Sequence, residues 1–151
     1  IGKVIDWNFT DVNDMGKAMV PAAYQTIMDH FKDMKRTFDD YDLVITGDLG
    51  KIGYAMLYDM IQKDRFFMNH KLNDCGIQIY DINNQEVFAG GSGCACCALV
   101  MYGYVVEKLK KQELNRVLLI ATGALMNPVM TAQKETIPSI AHAISLERVI
   151  S

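Results

Sequence analysis

The chain has 151 residues, half of them apolar, which is one domain's worth of material with enough hydrophobic side chains for a real core. A formal net charge of −3 leaves no basic stripe to neutralise phosphates and argues against nucleic acid. The sequence carries no secretory leader pattern, no membrane-spanning run and no lipidation motif, so it reads as intracellular in character.

In chain order, residues 2–7 are rich in β-formers and predict a first strand, closed by the turn residues Asn8, Thr10, Asp11 and Asn13. Residues 14–34 have helical spacing at Ala23, Ile27, Phe31 and Met34, with Pro21 best placed as the first residue of the main helix. Residues 15–19 are then a tight turn or a short separate helix. Lys32, Lys35 and Arg36, the densest basic group, alternate with Asp29, Asp33, Asp39 and Asp40, as on a solvated helix end. Residues 41–46 predict a strand, 47–50 a Gly-rich turn and 52–61 a helix. Residues 63–73 form a polar and aromatic connector, and 75–80 a further short strand before the turn Asn83-Asn84.

A small-residue turn, Gly90-Gly91-Ser92-Gly93, then leads into a stretch with no charged residue from Cys94 to Val106. With Ser92 as N-cap and Lys108, Lys110 and Lys111 at its end, residues 92–110 predict a helix covered on every side, because an amphipathic surface helix would show a polar face. At 13 residues the uncharged run is too short for a bilayer, which takes about 20 residues, so the cover must be protein. Residues 116–121 predict a strand buried on both faces, and 139–146 a last strand beyond a long loop. The order β-α-β-α-β-α-β-β implies an α/β fold: a five-stranded mixed sheet, its last pair an antiparallel edge hairpin, with helices on both faces.

Several side chains invite chemistry. Gly90 to Gly93 is either a close-packing device or an anion cradle, since glycines clear side chains away from free N–H groups. Asp48 follows a strand, where open α/β sheets build their sites, or else caps the next helix. His142 lies in an apolar strand and reads as a core or interface histidine; His30 and His70 lie in polar, exposed surroundings. Cys94, Cys96 and Cys97 crowd one segment without a nearby His. They are read as small core residues of a reducing compartment rather than a zinc set or a disulfide framework.

Five blocks spread over the whole chain carry a resemblance: Met15-Gly16-Lys17-Ala18-Met19-Val20-Pro21-Ala22-Ala23, Thr46-Gly47-Asp48-Leu49-Gly50, Asp74-Cys75-Gly76, Ala89-Gly90-Gly91-Ser92-Gly93-Cys94 and Ile137-Pro138-Ser139-Ile140-Ala141-His142-Ala143. Together they resemble the stage V sporulation protein AD family of endospore formers, which has a thiolase-like fold. The resemblance implies that residues 1–151 are the C-terminal half of such a fold, an expectation that fits a chain opening on Ile1. An absent, pseudo-symmetric N-terminal half would then cover part of the uncharged helix. It further implies binding of dipicolinic acid and a part in its movement into the developing spore. The protein would be intracellular and peripheral at the inner spore membrane. Its partners would be the other half of the chain, membrane proteins of the same operon and, as a homodimer, a second copy.

In condensing enzymes of this fold a His follows the strand matching residues 41–46, and an Asn or second His sits in the turn before the central helix. Gly47 and Gly91 stand at about those places here. Glycine can neither hold an oxyanion nor move a proton through a side chain, so the resemblance implies a site without catalytic residues. The family's nucleophilic Cys would lie in the absent half, which leaves Cys94 and Cys96 without that role. Gly47, Asp48, Gly90, Gly91, Ser92, Gly93 and His142 are the candidate ligand-binding residues. No resident cofactor is expected, although calcium could enter with dipicolinate and share Asp48. The alternative is an acyl-transferring or condensing enzyme with an altered site.

Overall fold

The computed structural model describes residues 1–65, 68 and 70–148. It begins with an arm that leads into α1 (Met15–Met34), capped by Asp14, whose carboxylate accepts from the Lys17 N–H at 3.0 Å. Helix α1 is one continuous element through Pro21, where residues 15–19 were expected to form a tight turn or a short separate helix. The missing proline N–H removes one helical hydrogen bond, but the buried stripe of Ala18, Met19, Ala22, Ala23, Ile27 and Phe31 holds both sides of that point on the sheet. Lys35 ends the helix in the left-handed conformation (φ 51°), and the next N–H, of Arg36, reaches back to the Phe31 carbonyl at 2.9 Å.

The sheet contains β1 (Leu43–Thr46), β2 (Leu72–Asp74), β3 (Arg116–Ala124) and β4 (Ser139–Glu147). Its order is β2-β1-β3-β4: β1 runs parallel to β2 and β3, while β4 pairs antiparallel with β3 from Arg116↔Glu147 to Ala124↔Ser139. The predicted edge hairpin is therefore present. The sheet has four strands among the described residues, and the predicted first strand accounts for the difference. Residues 2–7 pair with the sheet backbone through the isolated bridge Ile5↔Ser139, with Val4 exposed. One alternating pair of apolar residues is too little to hold a full ladder there.

Helix α2 (Gly50–Lys63) follows β1 as predicted. The predicted strand over 75–80 is instead a short helix, α3 (Cys75–Gln78), and the strand lies just before it as β2. Asp74 causes the switch, because its carboxylate caps the Ile77 N–H at 3.3 Å and turns the chain into a helix. Beyond the Gly-rich turn come α4 (Cys96–Val100), a π-helical segment (Met101–Val105) and α5 (Val106–Lys110), followed in the loop before β4 by α6 (Pro128–Ala132).

Helices cover both faces of the sheet. On one, α1 and α2 bury Val44, Leu118, Ile120 and Ala141; on the other, Ile45, Val117 and Leu119 meet Cys75, Cys96, Val100, Met101 and Val105. The α4-to-α5 rod is covered on that inner side alone. Leu99 is 60% exposed and Tyr102 76%, so the expectation of all-round cover fails within this chain.

Candidate functional site

The site lies at the C-terminal ends of β1 and β3, the edge where open α/β sheets place ligands. Its organiser is Asp48, only 8% exposed. One carboxylate oxygen accepts from Thr122 Oγ1 at 2.9 Å; the other accepts from the Gly93 N–H at 2.8 Å and Ser92 Oγ at 3.2 Å. The Asp48 N–H in turn donates to Thr122 Oγ1 at 3.1 Å. Asp48 thus fastens the Gly-rich turn to β3 and does not cap α2.

That cap belongs to Asp74, which sequence reasoning passed over as part of a motif block. Its fully buried carboxylate accepts from Thr46 Oγ1 (2.6 Å), Leu49 N–H (2.9 Å) and Gly50 N–H (3.0 Å), in addition to Ile77. Burial pushes the Asp74 carboxyl up, against the four donors, which favour its charged form. The sequence signal was an Asp immediately before the Cys75-Gly76 step, a residue type favoured at a helix N-cap.

Gly47, Gly90 and Gly91 leave no room for a side chain, whereas Gly93 faces open space and owes its place to a φ of +109°. A Cβ on Gly47 would fall 2.5 Å from Thr122 Oγ1, and one on Gly91 would fall 2.6 Å from Ile79 Cγ2. The Gly91 N–H donates to the Gly76 carbonyl at 2.7 Å, so this N–H and that of Gly93 are already engaged within the protein. The helix begins at Cys96, and Ser92 is bonded to Asp48 instead of capping it. Packing therefore accounts for the turn, and an anion would find fewer free donors there than the sequence suggested.

The turn separates two pockets. The larger, about 590 Å³, is walled by Met19, Cys97, Ala98, Met101, Leu119, Ile144 and Leu146, and Asp48 and Gly93 also line it. The smaller, about 310 Å³, takes in Asp14, Asp48, Gly50, Phe88 and Gly90 to Ser92. Asp48 faces both, so six of the predicted residues cluster here: Asp48 and Gly90 to Gly93 line pockets, and Gly47 packs behind them. The seventh, His142, does not join them. It lies on β4 opposite Ala121, exposed, and its Nδ1 accepts from the Gly2 N–H at 3.1 Å. Nor is His30 exposed as expected: it is half-buried, with Nε2 2.5 Å from the Tyr41 hydroxyl.

Of the cysteines, Cys75 and Cys96 are core residues, whereas Cys94 is exposed and Cys97 borders the larger pocket. Among the described residues, no three His, Cys, Asp or Glu side chains are grouped to hold a metal ion by themselves. No described helix is long and apolar enough to cross a membrane.

The family model described as Stage V sporulation protein AD (SpoVAD) matches residues 1–147. Stage V sporulation protein AD of Bacillus subtilis (strain 168) is 52% identical over 148 residues, covering 98% of this chain and 44% of that relative. The chain thus spans less than half the length of the curated relative it matches.

Proposed function

Because the chain belongs to the stage V sporulation protein AD family, we propose that it is the C-terminal, thiolase-like half of a non-catalytic protein. In this reading the protein binds dipicolinic acid as its calcium chelate for uptake into the developing spore. The observation that carries the ligand reading is the character of the larger pocket: apolar walls suited to an aromatic ring, and Asp48 as the charged side chain among its described lining. A bare dicarboxylate beside Asp48 would be repelled. A cation between them removes the conflict, and calcium takes carboxylate oxygens from ligand and protein together. Asp48 supplies a single carboxylate, so the ligand, water and the remainder of the protein would complete the coordination. Membrane proteins of the same operon would receive the ligand, with the protein peripheral at the inner spore membrane.

The non-catalytic reading is supported by Gly47 and Gly91, which offer no side chain to a developing oxyanion, and by His142 lying away from the pocket lining. Full-length protein should turn over neither acetyl nor malonyl thioesters; measurable turnover would favour an acyl-transferring enzyme. The binding reading is tested by equilibrium binding of dipicolinate to the full-length protein with and without calcium. Ala98→Trp, which fills the pocket from an exposed backbone position, should weaken binding at least tenfold with an unchanged circular dichroism spectrum. Calcium-independent binding, or wild-type affinity in a folded Ala98→Trp variant, would sink the proposal.

A further inference from the structure

The donors that hold the Asp48 carboxylate are not shared evenly between its oxygens. Oδ2 accepts twice, from the Gly93 N–H at 2.8 Å and from Ser92 Oγ at 3.2 Å. Oδ1 accepts from Thr122 Oγ1 at 2.9 Å. An ionised carboxylate offers about four lone-pair sites, two on each oxygen, so Oδ2 is filled while Oδ1 keeps one site open. That open site is on the Thr122 side, and Thr122 lines the larger pocket, whereas Ser92 lines the smaller one.

Thr122 also decides how this oxygen is aimed. Its hydroxyl accepts from the Asp48 N–H at 3.1 Å while donating to Oδ1, which closes a ring through the backbone and side chain of Asp48. With Oδ2 tied to the turn and Oδ1 tied to β3, the carboxylate plane is fixed from both ends. Gly47 makes room for this arrangement, because a Cβ there would fall 2.5 Å from Thr122 Oγ1 and 2.8 Å from the Thr122 backbone nitrogen. Gly47 therefore does more than lack a side chain: it admits the hydroxyl that orients Asp48.

On the calcium–dipicolinate reading, on which this proposal rests, we infer that Oδ1 of Asp48 is the protein oxygen that meets the cation in the larger pocket, with Thr122 as its positioning residue. Coordination by Asp48 is monodentate, because a second bond through Oδ2 would displace the Gly93 and Ser92 donors that hold the turn. The dipicolinate ring then lies against the apolar wall of Met101, Leu119 and Ile144. Thr122→Val keeps the shape of the side chain but leaves Oδ1 without its donor and the Asp48 N–H without its acceptor. Groups that orient a metal ligand in this way are typically worth about 10- to 100-fold in metal affinity.

The test uses terbium, which takes hard oxygen ligands as calcium does and luminesces when dipicolinate is bound to it. The terbium–dipicolinate chelate is titrated into full-length wild type, Thr122→Val and Thr122→Ser, each checked for folding by circular dichroism. Luminescence lifetimes in light and heavy water count the waters left on the metal. Wild type should bind the chelate and remove about one water from it, as a single carboxylate oxygen would. Thr122→Val should bind about 10- to 100-fold more weakly and leave that water in place, and Thr122→Ser should restore both affinity and lifetime. If Thr122→Val misfolds, the wild-type lifetime and Thr122→Ser decide: about two waters removed would mean a bidentate Asp48 and overturn the assignment. Wild-type affinity and lifetime in a folded Thr122→Val variant would overturn the role of Thr122 and leave the chelate reading standing. A wild type that does not bind the chelate would remove both.

Discussion

Two aspartates set the geometry at the end of the sheet, and they differ in kind. Asp48 binds the Gly-rich turn to β3, whereas Asp74 gathers the β1 end, the start of α2 and α3 onto one carboxylate. Replacing Asp74 with Ala leaves the buried Leu49 and Gly50 N–H groups without an acceptor, at about 1–3 kcal/mol each. Asp74→Ala should therefore lose on the order of 3 kcal/mol or more in urea unfolding; a loss below about 1 kcal/mol would show that the donors find other partners. Lys35 predicts the opposite sign. Its left-handed φ of 51° is strained for a residue with a Cβ, so Lys35→Gly should raise stability by about 0.5–1 kcal/mol in the same measurement.

His30 supplies a pH dependence at this scale. Burial, with the Arg36 charge nearby, holds its imidazole below the ordinary value of 6.5. The unfolded chain therefore binds the proton more readily, and the contribution is fully present above 6.5 and lost as pH falls through the lower folded value. Thermal midpoints should drop between pH 7 and 5, and less so in His30→Gln. Identical pH profiles for the two proteins would remove His30 from the account.

At the scale of elements, what the sequence made legible followed its periodicity. The strand–turn–helix from β1 into α2, the buried β3 and the antiparallel β3–β4 pair all stand where apolar runs and turn residues put them. Two of the errors share a cause: a local signal was read without the side chain that overrides it. Residues 75–80 carry β-branched and aromatic side chains, yet the Asp74 cap makes their first turn helical. Ser92 looked like a cap, yet Asp48, far off in sequence, claims its hydroxyl. Such long-range hydrogen bonds leave no periodic trace. Legibility of the candidate site divides the same way: glycine positions and Asp48 were visible as a motif, but the pairing that spends the N–H groups of Gly91 and Gly93 was not. Pro21 gives this scale its prediction. Since α1 passes through it without an N–H at that point, Pro21→Ala should restore a bond to the Lys17 carbonyl and stabilise the helix by about 1–3 kcal/mol. Denaturant midpoints check it, and an unchanged or lowered midpoint would mean that the proline ring is needed for packing.

For the molecule as a whole, the sheet is closed on one face and incompletely covered on the other. The α1 and α2 side is a continuous core, but the opposite side ends in the exposed outer surface of α4 and the π segment, with Ile144 of β4 beside it. Leu99, Tyr102 and Ile144 are each at least half exposed, and isolated soluble domains seldom leave so much apolar surface together on one face. The 52%-identical relative is more than twice as long as this chain, which supports the reading that further protein covers this surface in the full-length molecule. A 151-residue fragment made alone should then self-associate, because association is its remaining route to burial. Sedimentation velocity over a concentration series should show a growing weight-average coefficient, and Leu99→Glu with Tyr102→Glu should return the fragment to a monomer. In the full-length protein the same double substitution should lower the thermal midpoint, since there it would place two carboxylates in a covered interface. A fragment that stays monomeric at every concentration, together with a full-length double variant of wild-type stability, would show that this face belongs to solvent.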